Sequence, residues 1–208
     1  MQSAWQPVVR QAAYQATLAE AKLCWGTNSP PFNYRWEHIQ AVVQLAARLA
    51  NLTGADKEIV AAAAWLHDIC KRGKDDEHGR QGAIVARQIL AQTDFAPEKI
   101  EAVADAIAKH VGLYTHEPVE PLEAAVLWDA DKLSKLGATA VLHFSGYQIA
   151  NGRGTTEHLI AHLPHLPWQL EAVRSFNTAP ARAAGQKRLE AYGTFWETAA
   201  QELAGDDL

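Results

Sequence analysis

Nine histidines in a 208-residue chain are the side chains here best suited to metals and proton transfer near neutral pH, and their positions narrow the chemistry. His67-Asp68 closes the apolar run AAAAWL. A strongly polar pair at the end of a core helix is costly to bury unless its groups are paired or bind a metal. The plainer reading turns the pair to solvent. His38 has Val42, Leu45 and Leu49 four, seven and eleven positions further on, so it continues an apolar helical face and is expected to point inward. Taken alone it reads equally as a core histidine satisfied by a backbone carbonyl. Later, LWDADKLSKLG sets Asp129 and Asp131 among apolar residues. Two residues apart on a helix, they project in roughly opposite directions. Periodicity does not choose between them: Asp129 shares a face with Val126 and Leu133, Asp131 with Leu127 and Trp128. Solvent exposure, or pairing with Lys132 and Lys135, is the alternative for both.

Two histidines and two carboxylates brought from separate helices make a site for a divalent metal with open coordination positions. Such an ion lowers the pKa of bound water and polarises a phosphoryl oxygen, the two actions that phosphate-ester hydrolysis requires. The net charge of -5 argues against a dedicated binder of nucleic-acid polymers, which needs basic patches, and leaves a small phosphorylated substrate open. Cys24 and Cys70 form no CxxC and no disulfide framework, which points to a reducing, cytoplasmic setting. MQSAWQPVVRQAAYQ lacks a basic start followed by an apolar run, so no signal peptide is expected. No apolar stretch is long enough to cross a bilayer, so no membrane partner is expected either.

The order His38, His67-Asp68, Asp131 resembles the H…HD…D signature of the HD-domain phosphohydrolase superfamily. RWEHIQAVVQLAARLANLTGADKEIVAAAAWLHDICK is similar to the opening of that domain, and EHGRQGAIVARQIL and LWDADKLSKLGA resemble its later blocks. The resemblance implies an all-helical fold with a divalent metal at its centre (manganese, iron, cobalt, nickel or magnesium), held by His38, His67, Asp68 and Asp131. It favours Asp131 as the last ligand, because Ala130-Asp131-Lys132-Leu133 matches the family's pattern there; Asp129 stays the second choice. His78 and His110 fall, in order, where two-metal members carry extra histidines. They are candidates for a second metal or for contacts to substrate, although His110 is followed by Val111 where those members have a second histidine. The resemblance further implies that Asp68 orients the attacking water. Lys71, and after it Arg80, are candidates for neutralising substrate phosphate, while Arg72 and Lys109 read as surface cations. His116, His143, His158, His162 and His165 lie outside the signature and read as structural or surface residues. Two other functions stay in view: a di-iron oxygenase on the same scaffold, and a non-catalytic metal-containing binding or signalling module.

The elements that must position these residues are helical nearly throughout, since alanine is abundant and β-branched runs are short. A first helix is expected over Pro7–Trp25, ended by GTNSPPFN, where Pro30 and Pro31 cannot continue it. A second runs over Tyr34–Leu52 and stops at Thr53-Gly54. A third, capped by Asp56, runs through EIVAAAAWLHDIC and should be central. Others are expected over Arg80–Ala91, from Pro97 to His110, over Leu122–Leu136, over Ala138–Ala150 and over Pro180–Leu203, with LPHLPW as a loop. The fold class is therefore all-α: a single globular helical HD-domain fold with a C-terminal helical extension. Residues 1–33 form a helix and loop packed on the domain, 34–150 the HD domain and 151–208 the extension. Two roles are expected of that extension, shaping the pocket or making a homodimer interface.

Overall fold

A computed structural model describes residues 4–72, 77–164 and 166–208; His165 and part of the loop after Arg72 lie outside the described residues. Ten α-helices and no strand occur among the described residues: α1 (Trp5–Trp25), α2 (Tyr34–Thr53), α3 (Lys57–Leu66), α4 (His78–Leu90), α5 (Ile100–Lys109), α6 (Leu122–Leu133), α7 (Ala138–Ala150), α8 (Thr156–His162), α9 (Trp168–Arg174) and α10 (Ala179–Ala204).

The helix boundaries follow local chemistry. Gly26 closes α1 at φ +61, a left-handed conformation that glycine adopts without steric cost, and Pro30 and Pro31 follow. The Asn33 side chain accepts from the Trp36 amide and so caps α2. Asp56 caps α3 by accepting from the Glu58 and Ile59 amides. Thr178 caps α10 in the same way, through the Ala181 amide. The third helix was expected to run through Cys70, but it stops at Leu66. Residues 67–70 tighten into turns in which the Ile69 amide reaches the Leu66 carbonyl and the Lys71 amide reaches the Asp68 carbonyl. The tail also holds more helix than expected, because α8 and α9, seven residues each, flank LPHLPW.

Helix α2 lies between α3 and α6, and α4 packs along α5. Ile59, Val60, Ala62, Ala63, Ala64 and Leu66 bury α3, as its all-round apolar pattern requires. Helix α6 is more deeply enclosed still: every residue from Ala124 to Leu133 is buried, with Asp129, Asp131 and Lys132 among them. Three charged residues inside one core helix need partners, and those partners form the site. A second, smaller core joins Ala140 and Val141 of α7 to Leu163 and to Tyr192 and Trp196 of α10. None of the described helices is long and apolar enough to cross a membrane.

Candidate metal centre

Helix α2 delivers His38, the turn after α3 delivers His67 and Asp68, and α6 delivers Asp131; all four are buried. His38 Nε2 lies 3.1 Å from Asp131 Oδ1, 3.4 Å from His67 Nε2 and 3.8 Å from Asp68 Oδ2, and His67 Nε2 lies 3.7 Å from Asp68 Oδ2. Two ligand atoms each about 2.1 Å from one ion and 90–110° apart sit about 3.0–3.4 Å from each other, and wider angles give longer separations. The atoms of His38, His67 and Asp68 therefore match the spacing of a single coordination sphere, and Asp131 adjoins it through His38.

Two of the histidines have their distal ring nitrogens anchored. His67 Nδ1 donates to the Ala64 carbonyl at 2.8 Å, which puts the lone pair on Nε2. The hydroxyl of Ser134 donates to the Asp131 carbonyl at 2.7 Å, so its oxygen accepts from His38 Nδ1 at 3.1 Å and again leaves Nε2 bare. Anchoring of the distal ring nitrogen in this way is what metal-binding imidazoles show. Burial lowers the His38 pKa to about 4 in spite of Asp131 beside it, so the ring is neutral at physiological pH.

A second cluster adjoins the first. Asp68 Oδ1 lies 3.5 Å from His78 Nε2 and 3.4 Å from His110 Nε2, and these two nitrogens are 3.2 Å apart. Asp68 thus faces one group with each oxygen. His110 Nδ1 donates to the Ile107 carbonyl at 2.6 Å, and burial brings the pKa of His110 down to about 4. His78 is anchored differently, with Lys71 Nζ 3.3 Å from its Nδ1. The close approach of α4 and α5 behind this pair depends on glycine: a Cβ on Gly79 would stand 2.5 Å from the Val111 side chain and 3.1 Å from two carbonyl oxygens of α5. His38, His67 and Asp68, and likewise Asp68, His78 and His110, could hold a metal ion.

The carboxylates stay ionised. Burial opposes this at Asp68, but the Arg35 guanidinium, and then His67 and His110, hold its carboxyl well below the usual carboxylate range. Arg35 reaches Asp68 Oδ2 through Nη1 at 2.7 Å, and its Nε and Nη2 grip both oxygens of Glu20 on α1. At Asp131 burial is again overcome, here by Lys132 and Lys135, each 2.6 Å away. The pairing alternative for Asp131 is thus realised together with the contact to His38. Lys132 is fully buried, sits 3.9 Å over the Trp128 ring and donates to the His110 carbonyl; burial depresses its pKa to about 8. Ion pairing accounts for the carboxylates and cations. It does not account for the buried neutral rings of His38 and His110, whose Nε2 atoms face Asp131 and Asp68, and a bound cation does.

The remaining candidates fall in different places. Asp129 is buried away from this cluster: Oδ1 accepts from the backbone and side-chain amides of Asn177, and Oδ2 from the backbone amide and hydroxyl of Thr178. It fastens the start of α10 to α6. Lys71 lines the cavity above the centre, whereas Arg80 is exposed, pairs with Glu77 at 3.0 Å and lies outside that lining. His158 and His162 stack at 4.0 Å between ring centroids on α8, and His143 meets the Tyr34 ring edge-on. The cavity measures about 660 Å³ and is also lined by Arg35 and Arg153, which sequence reasoning did not single out, and by Lys135, which it named only as an ion-pair partner. Lys135 had a usable signal, four residues after Asp131 on a helical register. Arg35 had none, because its partner Glu20 lies on a different helix.

The family described as HD domain matches residues 35–136. An uncharacterized protein of Bacillus subtilis, YpgQ, is 26% identical over 159 residues, 74% of this chain and 76% of its own. Among solved structures, that of Bacillus subtilis YpgQ in complex with ADP is similar with a TM-score of 0.64 and 23% identity, over 93% of this chain and 98% of that one. A HD-superfamily hydrolase from Bacillus thuringiensis is similar with a TM-score of 0.61 and 21% identity, over 94% and 98%. These structural likenesses establish the fold.

Proposed function

Residues 35–136 are an HD domain, and from that premise we propose that the protein is a metal-dependent phosphohydrolase acting on a nucleotide or a related small phosphorylated molecule. One observation carries the reading. Asp68, His78, His110 and Asp131 line the same cavity as Arg35, Lys71, Lys135 and Arg153, and His38 and His67 stand against Asp68 and Asp131 behind that lining, so candidate metal ligands and phosphate-seeking cations meet at one chamber. Its volume, about 660 Å³, is in the range of small-molecule sites.

In this reading His38, His67, Asp68 and Asp131 hold one divalent ion, and Asp68, His78 and His110 a second. An ion so held lowers the pKa of its water and polarises a phosphoryl oxygen. The side chains supply the rest. Lys71 and Lys135 neutralise charge that develops on the phosphoryl oxygens. Arg35, fixed by Glu20, keeps Asp68 ionised, and Asp68 accepts a hydrogen bond from the attacking water and aims it. Attack is in line and expels an alcohol or a phosphate. The complex of YpgQ with ADP supports a nucleotide as the substrate.

The test is metal content together with turnover on a panel of phosphate esters and nucleotides, for wild type and Asp68→Ala. Bound metal, and turnover that the substitution abolishes, is the expected result. Metal-free protein, or turnover that survives in Asp68→Ala, overturns the proposal. His67→Ala is expected to lose metal and turnover alike. The sharing of Asp68 between two histidine-containing clusters also favours a second reading, a di-iron oxygenase. Turnover with redox-inert magnesium counts against it, and oxygen consumption by the iron-loaded protein counts for it.

A further inference from the structure

The far end of the cavity is built differently from its floor. Phe144 and Tyr147 of α7, Leu163, Leu166, and Trp168 at the start of α9 line it. All of them lie beyond residue 136, where the HD-domain match ends. Phe144 and Trp168 meet edge to face with centroids 6.2 Å apart. Tyr147 leans on Tyr34 at 5.2 Å, and Tyr34 stacks on His38 at 6.4 Å. Rings therefore extend from the metal centre to this wall.

The wall is also braced from behind. Leu163 is buried against the second core, and the Tyr192 hydroxyl donates to its carbonyl at 2.8 Å. The Gln169 side-chain amide donates to the Lys135 carbonyl at 3.1 Å, which ties α9 to the segment that carries a cation of the site.

We infer that this wall is a nucleobase subsite that holds the base by stacking and does not read its edge. The inference rests on the phosphohydrolase reading for what occupies the floor. A molecule whose anionic phosphates lie against the ions and lysines presents its uncharged body to the wall. Aromatic side chains there favour a flat ring system over a flexible chain, because a planar partner gains contact along a whole face. Reading a base edge takes directed donors and acceptors. Among the described residues, the neutral polar side chains beside this wall are the tyrosine hydroxyls and the amide of Gln148. Stacking tolerates any base, since every base has a π-face. A site built on hydrogen bonds instead rejects analogues that lack them by large factors. The protein thus selects its substrate by the phosphates and accepts purines and pyrimidines alike.

Calorimetric titration of the manganese-loaded full chain with ADP, GDP, CDP and UDP, and with pyrophosphate as a probe without a base, tests this. The four nucleotides are expected to bind within about tenfold of one another and more tightly than pyrophosphate. Trp168→Ala should weaken each nucleotide roughly tenfold and leave pyrophosphate unchanged, and Trp168→Phe should restore binding. A spread of about a hundredfold or more among the bases, or equal weakening of pyrophosphate, overturns the inference. If Trp168→Ala does not fold, Tyr147→Ala at a 43% exposed position gives the same readout. The two proposals fail separately. Nucleotide binding that stacking substitutions weaken, with no turnover under any metal, keeps the subsite and removes the hydrolase. Turnover of simple phosphate esters, with nucleotides bound no better than pyrophosphate, keeps the hydrolase and removes the subsite.

Discussion

Asparagine at position 129 and, in a separate protein, at position 131 gives opposite outcomes for two carboxylates of the same helix. Asp129 accepts four hydrogen bonds, two on each oxygen, and one donor on each side is a backbone amide. Asparagine keeps the shape but replaces one oxygen by an NH2 group. Whichever way the amide lies, that group meets a backbone N–H, of Asn177 or of Thr178. The backbone N–H that faces this group loses its acceptor and a buried donor is stranded opposite it, at a cost of about 3 kcal/mol. In a chain of this length each kcal/mol lowers the melting temperature by about 2–4 °C, so Asp129→Asn should melt at least about 6 °C below wild type. Its metal content should not change, because neither oxygen faces the imidazole cluster. Asp131→Asn removes the charge that lies 3.1 Å from His38 Nε2 and 2.6 Å from each of two lysines. Metal should be lost there. The buried Lys132, already depressed to about 8, should be pushed lower once its counter-charge is gone, and release of its proton limits the damage to folding. Calorimetric melting and elemental analysis on both proteins decide the matter. An Asp129→Asn protein that melts with wild type and has lost its metal would refute the reasoning, since Asp129 would then be the ligand.

Three further outcomes follow from the same geometry. His110→Ala should lower the metal content from two ions to one per chain, because His110 belongs to the second cluster alone; elemental analysis after desalting reads this, and complete loss would show that the clusters do not load independently. Gly79→Ala should destabilise the fold by about 1–3 kcal/mol in urea melts and weaken the second ion, since the added methyl pushes α4 off α5 between His78 and His110; unchanged stability contradicts the packing argument. Metal-free protein should lose stability as the pH falls from about 6.5 to about 4. His38 and His110 have folded pKa values near 4, below the ordinary 6.5, so in that interval the unfolded chain binds protons that the folded one does not. Asp68 and Asp131, held low in the folded state, extend the loss to more acidic pH. Melts in chelator across this range should show the decline, and a flat profile removes the claim that the rings are buried neutral.

What the sequence made legible is what short-range pattern encodes. The stripe after His38 and the apolar run before His67 fix α2 and α3, and the cap at Asp56 sets the start of α3. The resemblance over the HD-domain blocks then supplied the order of the candidate ligands. Three parts of the result depend on contacts remote in sequence and were closed to that reading. The turn after Leu66 is held partly by a ring-to-carbonyl bond that no propensity encodes. The Arg35–Glu20 fork joins residues fifteen positions apart on two helices. Helices α8 and α9 span about two turns each, too short for a periodic signal to emerge, and they acquire their packing from α10 and from Lys135. The choice between Asp129 and Asp131 shows the limit most clearly. Both are buried on a helix with no solvent face, so amphipathicity carries no information about them. What separates them is the neighbour each meets: an amide-rich helix start forty-eight residues away for Asp129, and a histidine ninety-three residues earlier for Asp131. Inside a core helix, a polar residue's role is thus set by tertiary partners, and sequence alone reaches it only through a motif that already records them.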